Sequence, residues 1–255
     1  MKHENPGQYA DVNGVHLYYE RHGQGSPVVL IHGGVMTIPL SWSRLIPLLA
    51  DEHEVIAVEL QGHGRTADID RVFTPANNAA DLTALLDHLG IARTAVIGHS
   101  TGAAVALEMA VYHGARVSKC VALSGSVKAE AAIPEFADMD ALMASGRIPT
   151  AEEMAAMQQD YRRLSTTPDN WEAFHQKIAT SDDGSGWTDE QLAGIDCPVL
   201  VVLGDLDFVQ LDHLTQVQQL IPGSEAGVLP GTTHTQVPTR TDLLAPMLTA
   251  FLKPT

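Results

Sequence analysis

The sequence predicts an α/β fold in which a mostly parallel central sheet is covered by helices on both faces. Short apolar runs alternate with helical patterns along the chain, and the central runs carry no polar positions. Such uniformly apolar strands are typical of a parallel sheet that is buried on both faces. In sheets of this kind the functional residues lie at the carboxyl ends of the strands.

The individual elements follow from local patterns. Asn13 and Gly14 predict a tight turn, and therefore a hairpin at the start of the chain. Helical spacing of leucines predicts a helix that ends at Gly90. A buried helix is predicted over residues 103–110, and a closing helix carries apolar residues from 244 to 252. The remaining strands are predicted at residues 27–31, 54–59, 94–97, 120–123, 199–203 and 226–229.

The stretch over residues 126–195 interrupts this alternation, because it contains no clear strand. Thr150 and Glu153 have the spacing of a capping box, and apolar residues follow on one helical face. Asn170 precedes a second helix that carries Trp171. We therefore predict a helical cap insertion over residues 126–195, above an α/β core formed by residues 1–125 and 196–255. A plain surface elaboration is the alternative.

Composition limits the classes of partner. The 255 residues are 45% hydrophobic, which is enough for one large domain. The net charge of −16 repels phosphate groups, so we expect neither nucleic acid nor a membrane as a partner. Cys120 and Cys197 fit buried, reduced thiols. The first six residues lack the apolar core of a signal peptide, and no run has the length of a membrane span, so we expect a cytoplasmic protein.

Ser100 lies at the centre of a Gly-x-Ser-x-Gly motif, residues 98–102, between a predicted strand and a predicted helix. A sharp strand-to-helix turn presents a serine hydroxyl clear of the backbone, where a base can take its proton. One glycine would allow the tight turn, and the other would let the helix pack close to the neighbouring strand. The motif also occurs by chance, so a nucleophilic serine requires a base and an acid elsewhere in the chain.

Two loops supply these partners. His234 follows the last predicted strand, from where it can reach over the central strands, although a lone histidine there also fits an ordinary surface loop. Asp205 and Asp207 follow the apolar run 199–203; Asp207 has room to turn out of the sheet, whereas Asp205 fits a turn-capping residue. The turn after residue 123 contains no acid. We therefore predict Ser100 as nucleophile, His234 as base and Asp207 as acid.

The remaining motifs predict an oxyanion hole and exclude other sites. Thr101 would donate its backbone N–H at the start of a helix, where the dipole favours negative charge. Gly34 is the predicted second donor, with Val35 as the alternative. We interpret His32, His63 and His99 as structural. The sequence has no His-Glu-x-x-His pattern, no paired cysteines and no phosphate-binding loop, so we expect no metal and no cofactor.

These motifs, at residues 32–34, 62–65, 98–102, 204–207 and 231–234, make the chain resemble the α/β-hydrolase superfamily over nearly its whole length. The order nucleophile, acid, base is also the order expected in that superfamily. The sequence Gly-His-Ser-Thr-Gly is similar to the elbow of the cofactor-free haloperoxidase and perhydrolase group. Those relatives tend to have Trp after the His-Gly pair, whereas this chain has Gly34, which disfavours perhydrolysis.

The predicted function is therefore that of a serine hydrolase whose partner is a small-molecule acyl substrate, such as an ester or a lactone. A serine nucleophile argues against haloalkane dehalogenases and epoxide hydrolases, which need an ester-forming carboxylate. One alternative is a small-ligand receptor that retains the triad. Another is an acyl transferase, a C–C bond hydrolase or a perhydrolase that uses the same residues. A homodimer also stays open.

Overall fold

The computed structural model describes residues 7–181 and 186–253. Its strands are β1 (Gln8–Val12), β2 (Val15–His22), β3 (Ser26–Ile31), β4 (His53–Val58), β5 (Thr94–His99), β6 (Val117–Leu123), β7 (Val199–Leu206) and β8 (Glu225–Thr233). They form one eight-stranded sheet in the order β1-β2-β4-β3-β5-β6-β7-β8. Among the described strands, β2 pairs in antiparallel fashion with both β1 and β4, and β3 to β8 run parallel to one another. The predicted mostly parallel sheet is confirmed.

Helices cover both faces of this sheet. They are α1 (Ile38–Trp42), α2 (Ile46–Leu49), α3 (Pro75–His88), α4 (Thr101–Tyr112), α5 (Met139–Ser145), α6 (Ala151–Leu164), α7 (Trp171–Ala179), α8 (Asp189–Ala193), α9 (Asp212–Leu220) and α10 (Thr241–Leu252). Alternate side chains of β3 show the two layers. Val29 and Ile31 pack in the cluster with α3, α4 and α9, whereas Val28 and Leu30 pack with α1, α2 and α10.

The segment between β6 and β7 contains α5 to α8, and we call residues 126–195 the cap. Among its described residues no strand of the central sheet occurs, although Ala132 forms an isolated antiparallel bridge with Val209. Thr150 caps α6 through a capping box, as its spacing predicts. The cap rests on the loop after β3, where Met36 packs with Met157 and with aromatic residues of α6 and α7.

Several polar contacts join the cap to the core. Asp160 of α6 accepts a hydrogen bond from the Thr37 hydroxyl, and Lys177 of α7 lies 2.7 Å from a carboxylate oxygen of Asp68. Two further contacts, from Arg147 and from Glu153, end beside the candidate site and are described below. The cap is therefore fixed at several points over the carboxyl ends of the strands.

The first six residues, on which the signal-peptide expectation rests, lie outside the described residues. Within residues 7–181 and 186–253, no helix combines the length and the apolar character needed to cross a bilayer.

Candidate active site

Ser100 occupies the sharp turn between β5 and α4. Its backbone has φ 52° and ψ −117°, a strained conformation for a residue with a side chain. A Cβ on Gly98 would lie 1.9 Å from the Gly102 carbonyl oxygen, and a Cβ on Gly102 would lie 2.3 Å from that of Ile31. Both glycines are thus required by close backbone approach. This agrees with the predicted division, since Gly98 allows the tight turn and Gly102 lets α4 pack close to the end of β3. The positive φ of the turn is carried by Ser100 itself.

The structure brings Ser100, His234 and Asp207 together in series. His234 Nε2 lies 2.8 Å from Ser100 Oγ, and His234 Nδ1 lies 2.7 Å from Asp207 Oδ1. Since an ionised carboxylate can only accept a hydrogen bond, Nδ1 carries the imidazole proton and donates a hydrogen bond to Asp207. Nε2 is then free to accept the serine proton. This arrangement can generate a serine nucleophile.

Asp207 is fully buried, and three donors surround its carboxylate. Besides His234, the Ser124 hydroxyl donates to Oδ2 at 2.6 Å and the Val209 N–H donates to Oδ1 at 3.1 Å. Burial raises the pKa of Asp207, but the nearby His234 and these hydrogen bonds outweigh it, so the net pKa is lowered. The acid is therefore held ionised within the protein interior.

Ser124 is a site residue that sequence reasoning missed. It directly follows the strand β6, in the turn that was noted only for containing no acid. Its backbone N–H donates to Val202 on β7, which brings its hydroxyl to the neighbouring strand end where Asp207 lies. The available signal was a polar residue at the end of β6, the strand that pairs with β7. Asp207 follows β7, so the two side chains could be expected to meet.

Asp205 lies at a different place from Asp207. Its carboxylate accepts from the Thr232 N–H at 3.0 Å and so fastens the end of β7 to β8. Hydrogen bonds from the backbone N–H groups of Gly231 and Thr232 lower the pKa of this half-buried carboxyl. Asp205 therefore holds the strand that leads into His234, while Asp207 contacts the imidazole.

Two further residues contact the triad and were not foreseen. The Phe208 ring stacks on the His234 imidazole, with centroids 3.8 Å apart and an interplanar angle of 20°. Arg147 of the cap donates to the Asp207 backbone carbonyl at 2.7 Å. Beside them, Thr235 donates its hydroxyl to Glu153 of α6 at 2.8 Å. The cap thus reaches the loops that carry Asp207 and His234.

The predicted oxyanion donors lie side by side. A Cβ on Gly34 would sit 3.0 Å from Thr101 Oγ1, and Thr101 begins α4 directly after Ser100. The Val35 N–H donates instead to His63 Nε2 at 3.2 Å, so this alternative donor is already engaged. Gly34 and Thr101 both line the cavity beside Ser100, and their N–H groups stay the predicted pair of oxyanion donors.

The histidines interpreted as structural are buried and hydrogen-bonded. His32 bridges the Gly33 carbonyl and the Leu60 N–H, at 2.8 and 3.1 Å. Burial lowers the pKa of His63 to about 4, and burial with the nearby His234 lowers that of His99 to about 3. His99 Nε2 donates to the His234 carbonyl at 2.9 Å. These neutral rings fix the loops around the site.

A cavity of about 470 Å³ opens onto Ser100 and lies between the core and the cap. This volume is within the range of small-molecule sites. Its lining is mainly apolar and includes Val35, Met36, Ile148, Pro149, Met154, Met157, Ile178, Ala179 and Phe208. Among residues 7–181 and 186–253, no group of three or more His, Cys, Asp or Glu side chains is placed to hold a metal ion.

Known proteins share this architecture. The model of the alpha/beta hydrolase family matches residues 28–245. A non-heme haloperoxidase of Rhodococcus erythropolis is 26% identical over 94% of this chain and 97% of its own length. A soluble epoxide hydrolase of Corynebacterium sp. (strain C12) is 36% identical, but over 43% of this chain and 38% of its own length.

Solved structures agree with the same fold. Est816, described as an N-acyl homoserine lactone degrading enzyme, superposes with a TM-score of 0.78 at 25% identity, covering 97% of this chain and 100% of that chain. The meta-cleavage product hydrolase CumD of Pseudomonas fluorescens IP01 reaches a TM-score of 0.80 at 20% identity, covering 96% and 97%. The second likeness concerns the fold alone.

Proposed function

The chain belongs to the alpha/beta hydrolase family, and we propose that it is a serine hydrolase that cleaves a small ester, lactone or related acyl compound. Its relatives support hydrolase activity in general. The observation that carries the finer proposal is the unbroken hydrogen-bond series from Asp207 through His234 to Ser100, which ends in an apolar cavity. An acyl group fits such a cavity because its chain is apolar and its carbonyl is polar.

In the proposed reaction, Ser100 Oγ attacks the substrate carbonyl while His234 Nε2 takes its proton. Asp207 keeps the imidazole in the required tautomer and stabilises its charged form. The N–H groups of Thr101 and Gly34 stabilise the tetrahedral oxyanion. His234 returns the proton to the leaving group, and water then releases the acyl group from Ser100 by the same steps.

Two neighbouring activities receive less support from the site. Epoxide hydrolases occur among the relatives, but the residue at the elbow here is Ser100 rather than a carboxylate. Perhydrolysis is disfavoured by Gly34, because the haloperoxidase and perhydrolase group tends to have Trp at this position. Space above Gly34 is taken by α7, because a Cβ there would lie 3.0 Å from Ile178 Cγ2. A tryptophan at this position would displace the cap.

The test is multiple turnover on a series of p-nitrophenyl esters, from acetate to octanoate. Ser100→Ala should lower kcat by about a thousandfold or more, since only binding and the oxyanion hole remain. Its circular dichroism and Tm serve as the folding control. Near-normal turnover by Ser100→Ala would refute the proposal that Ser100 is the nucleophile. Labelling of Ser100 without any turnover by the unmodified protein would favour a receptor instead.

A further inference from the structure

His175 lies on the buried face of the cap helix α7, at a position where an apolar residue is expected. Trp171, Phe174 and Ile178 form this face and pack in or against the cap cluster with Met36 and Met157. Position 175 has the i+4 spacing from Trp171 that completes the same face. The imidazole is half-buried, with its ring centroid 5.5 Å from that of Trp171.

The imidazole of His175 lines the cavity above Ser100. The other polar side chains of the lining lie at the reaction centre or are engaged: His99 donates to the His234 carbonyl, and Thr235 donates to Glu153. Within the described residues, by contrast, His175 makes no hydrogen bond and no ion pair. Because His175 is half-buried and lines the cavity, its imidazole is available to a molecule that enters the cavity.

The charged side chains around the cavity indicate whether a bound group is neutral or anionic. Within the described part of the chain, no lysine or arginine side chain lines this cavity. Two carboxylates lie close to it, since Asp207 bonds His234 and Glu153 bonds Thr235. The nearby Arg147 guanidinium bonds the Asp207 backbone carbonyl and is not part of the lining. A substrate carboxylate would lose its hydration here without gaining a cationic partner. A neutral acceptor oxygen suits an imidazole N–H in this setting.

The position of α7 shows which part of the substrate would be contacted. Ile178, one turn after His175, approaches Gly34 on the oxyanion side. The leaving group, by contrast, has to reach His234 Nε2 in order to be protonated. We propose that His175 donates a hydrogen bond to a second, neutral carbonyl or ether oxygen in the acyl part of the substrate. This inference rests on the proposed serine hydrolase function and assigns a specificity-determining residue to it.

Three esters of similar size test the proposal. Methyl p-nitrophenyl succinate carries a neutral second carbonyl, p-nitrophenyl hexanoate is its apolar counterpart, and p-nitrophenyl hemisuccinate carries a carboxylate. His175→Phe removes the donor, whereas His175→Gln retains an N–H. We expect His175→Phe to lower the kcat/KM ratio of methyl succinate to hexanoate by about 3- to 10-fold, mainly through KM, the effect of one neutral hydrogen bond. His175→Gln should keep the ratio.

The outcomes separate this inference from the proposed function. One outcome is that the unmodified protein and both variants all hydrolyse the hexanoate ester while His175→Phe leaves the kcat/KM ratio of methyl succinate to hexanoate unchanged. That result would overturn the role of His175 and leave the proposed function standing. If the unmodified protein prefers the hemisuccinate to the methyl ester, the inference that the second oxygen group of the substrate is neutral would be overturned. Absence of serine-dependent turnover on all three esters would overturn both proposals. The Tm of His175→Phe should equal or exceed that of the unmodified protein, and a large fall would indicate a structural role instead.

Discussion

Ser124→Ala should slow the chemical step and leave substrate binding unchanged. The Ser124 hydroxyl donates to Asp207 Oδ2 at 2.6 Å, and Asp207 is fully buried. Ser124 is buried as well, so in the alanine variant we expect the carboxylate to keep only His234 and the Val209 N–H as donors. It is then less well fixed against the imidazole during proton transfer.

The expected size follows from the type of hydrogen bond that is lost. A hydrogen bond to a charged group contributes about 1.5–3 kcal/mol, and about 1.4 kcal/mol corresponds to a tenfold change in rate. If most of this contribution is expressed in the transition state, kcat falls by about 10- to 100-fold. The same loss should appear in the free energy of unfolding at pH 7, because Asp207 is buried and ionised in the folded protein.

The assay is steady-state hydrolysis of p-nitrophenyl butyrate, together with urea unfolding of the same samples. Ser126→Ala is the matched control, because Ser126 lies two residues further along the same turn and is only half-buried. We expect KM to be unchanged in both variants and kcat to fall in Ser124→Ala alone. A kcat for folded Ser124→Ala within twofold of the control would refute the reasoning that Asp207 depends on this donor.

Three further predictions concern the surroundings of His234 and the buried histidines. Asp207→Asn should lower kcat by about three orders of magnitude or more, whereas Asp205→Asn should chiefly lower Tm; the reverse ranking would mean that the acid is wrongly chosen. Phe208→Leu should lower kcat by up to about tenfold, because a stacked ring stabilises a cationic imidazole, and Phe208→Trp should restore it; equal rates would contradict this. Burial lowers the pKa of His63 from 6.5 to about 4, so unfolding binds a proton in this range and stability falls as the pH decreases. His63→Asn should therefore reduce the slope of unfolding free energy between pH 6.5 and 4 by about 1.4 kcal/mol per pH unit, and parallel urea-derived curves would refute it.

The elements that sequence patterns predicted well are those whose environment is uniform. The apolar run 27–31 corresponds to β3 (Ser26–Ile31), and the run 94–97 lies within β5 (Thr94–His99). A strand buried on both faces admits only apolar residues, so its position is visible in the sequence. The strand ends are equally visible, and for this reason Ser100, Asp207 and His234 could be proposed before their geometry was known.

Residues whose role depends on a distant neighbour escaped prediction. Ser124 is 83 positions from Asp207, and no local pattern says that their two strands end side by side. In the sequence Phe208 is an ordinary apolar residue, and only the structure shows that its ring stacks on His234. The sharp turn at Ser100 was predicted from its motif, but the sequence did not show that the serine itself carries the strained φ. His175 is an intermediate case, since its place on an apolar helix face could have been noticed.

The contacts of Arg147 and Glu153 have a consequence for how substrate preference can change. Both side chains leave the cap and end on the loops of the acid and the base, on the Asp207 carbonyl and the Thr235 hydroxyl. The cavity wall between these contacts comes from other side chains, such as Met154 and Met157. Cap sequences that preserve the two anchor points can therefore diverge, or be exchanged in the laboratory, while the catalytic centre keeps its alignment.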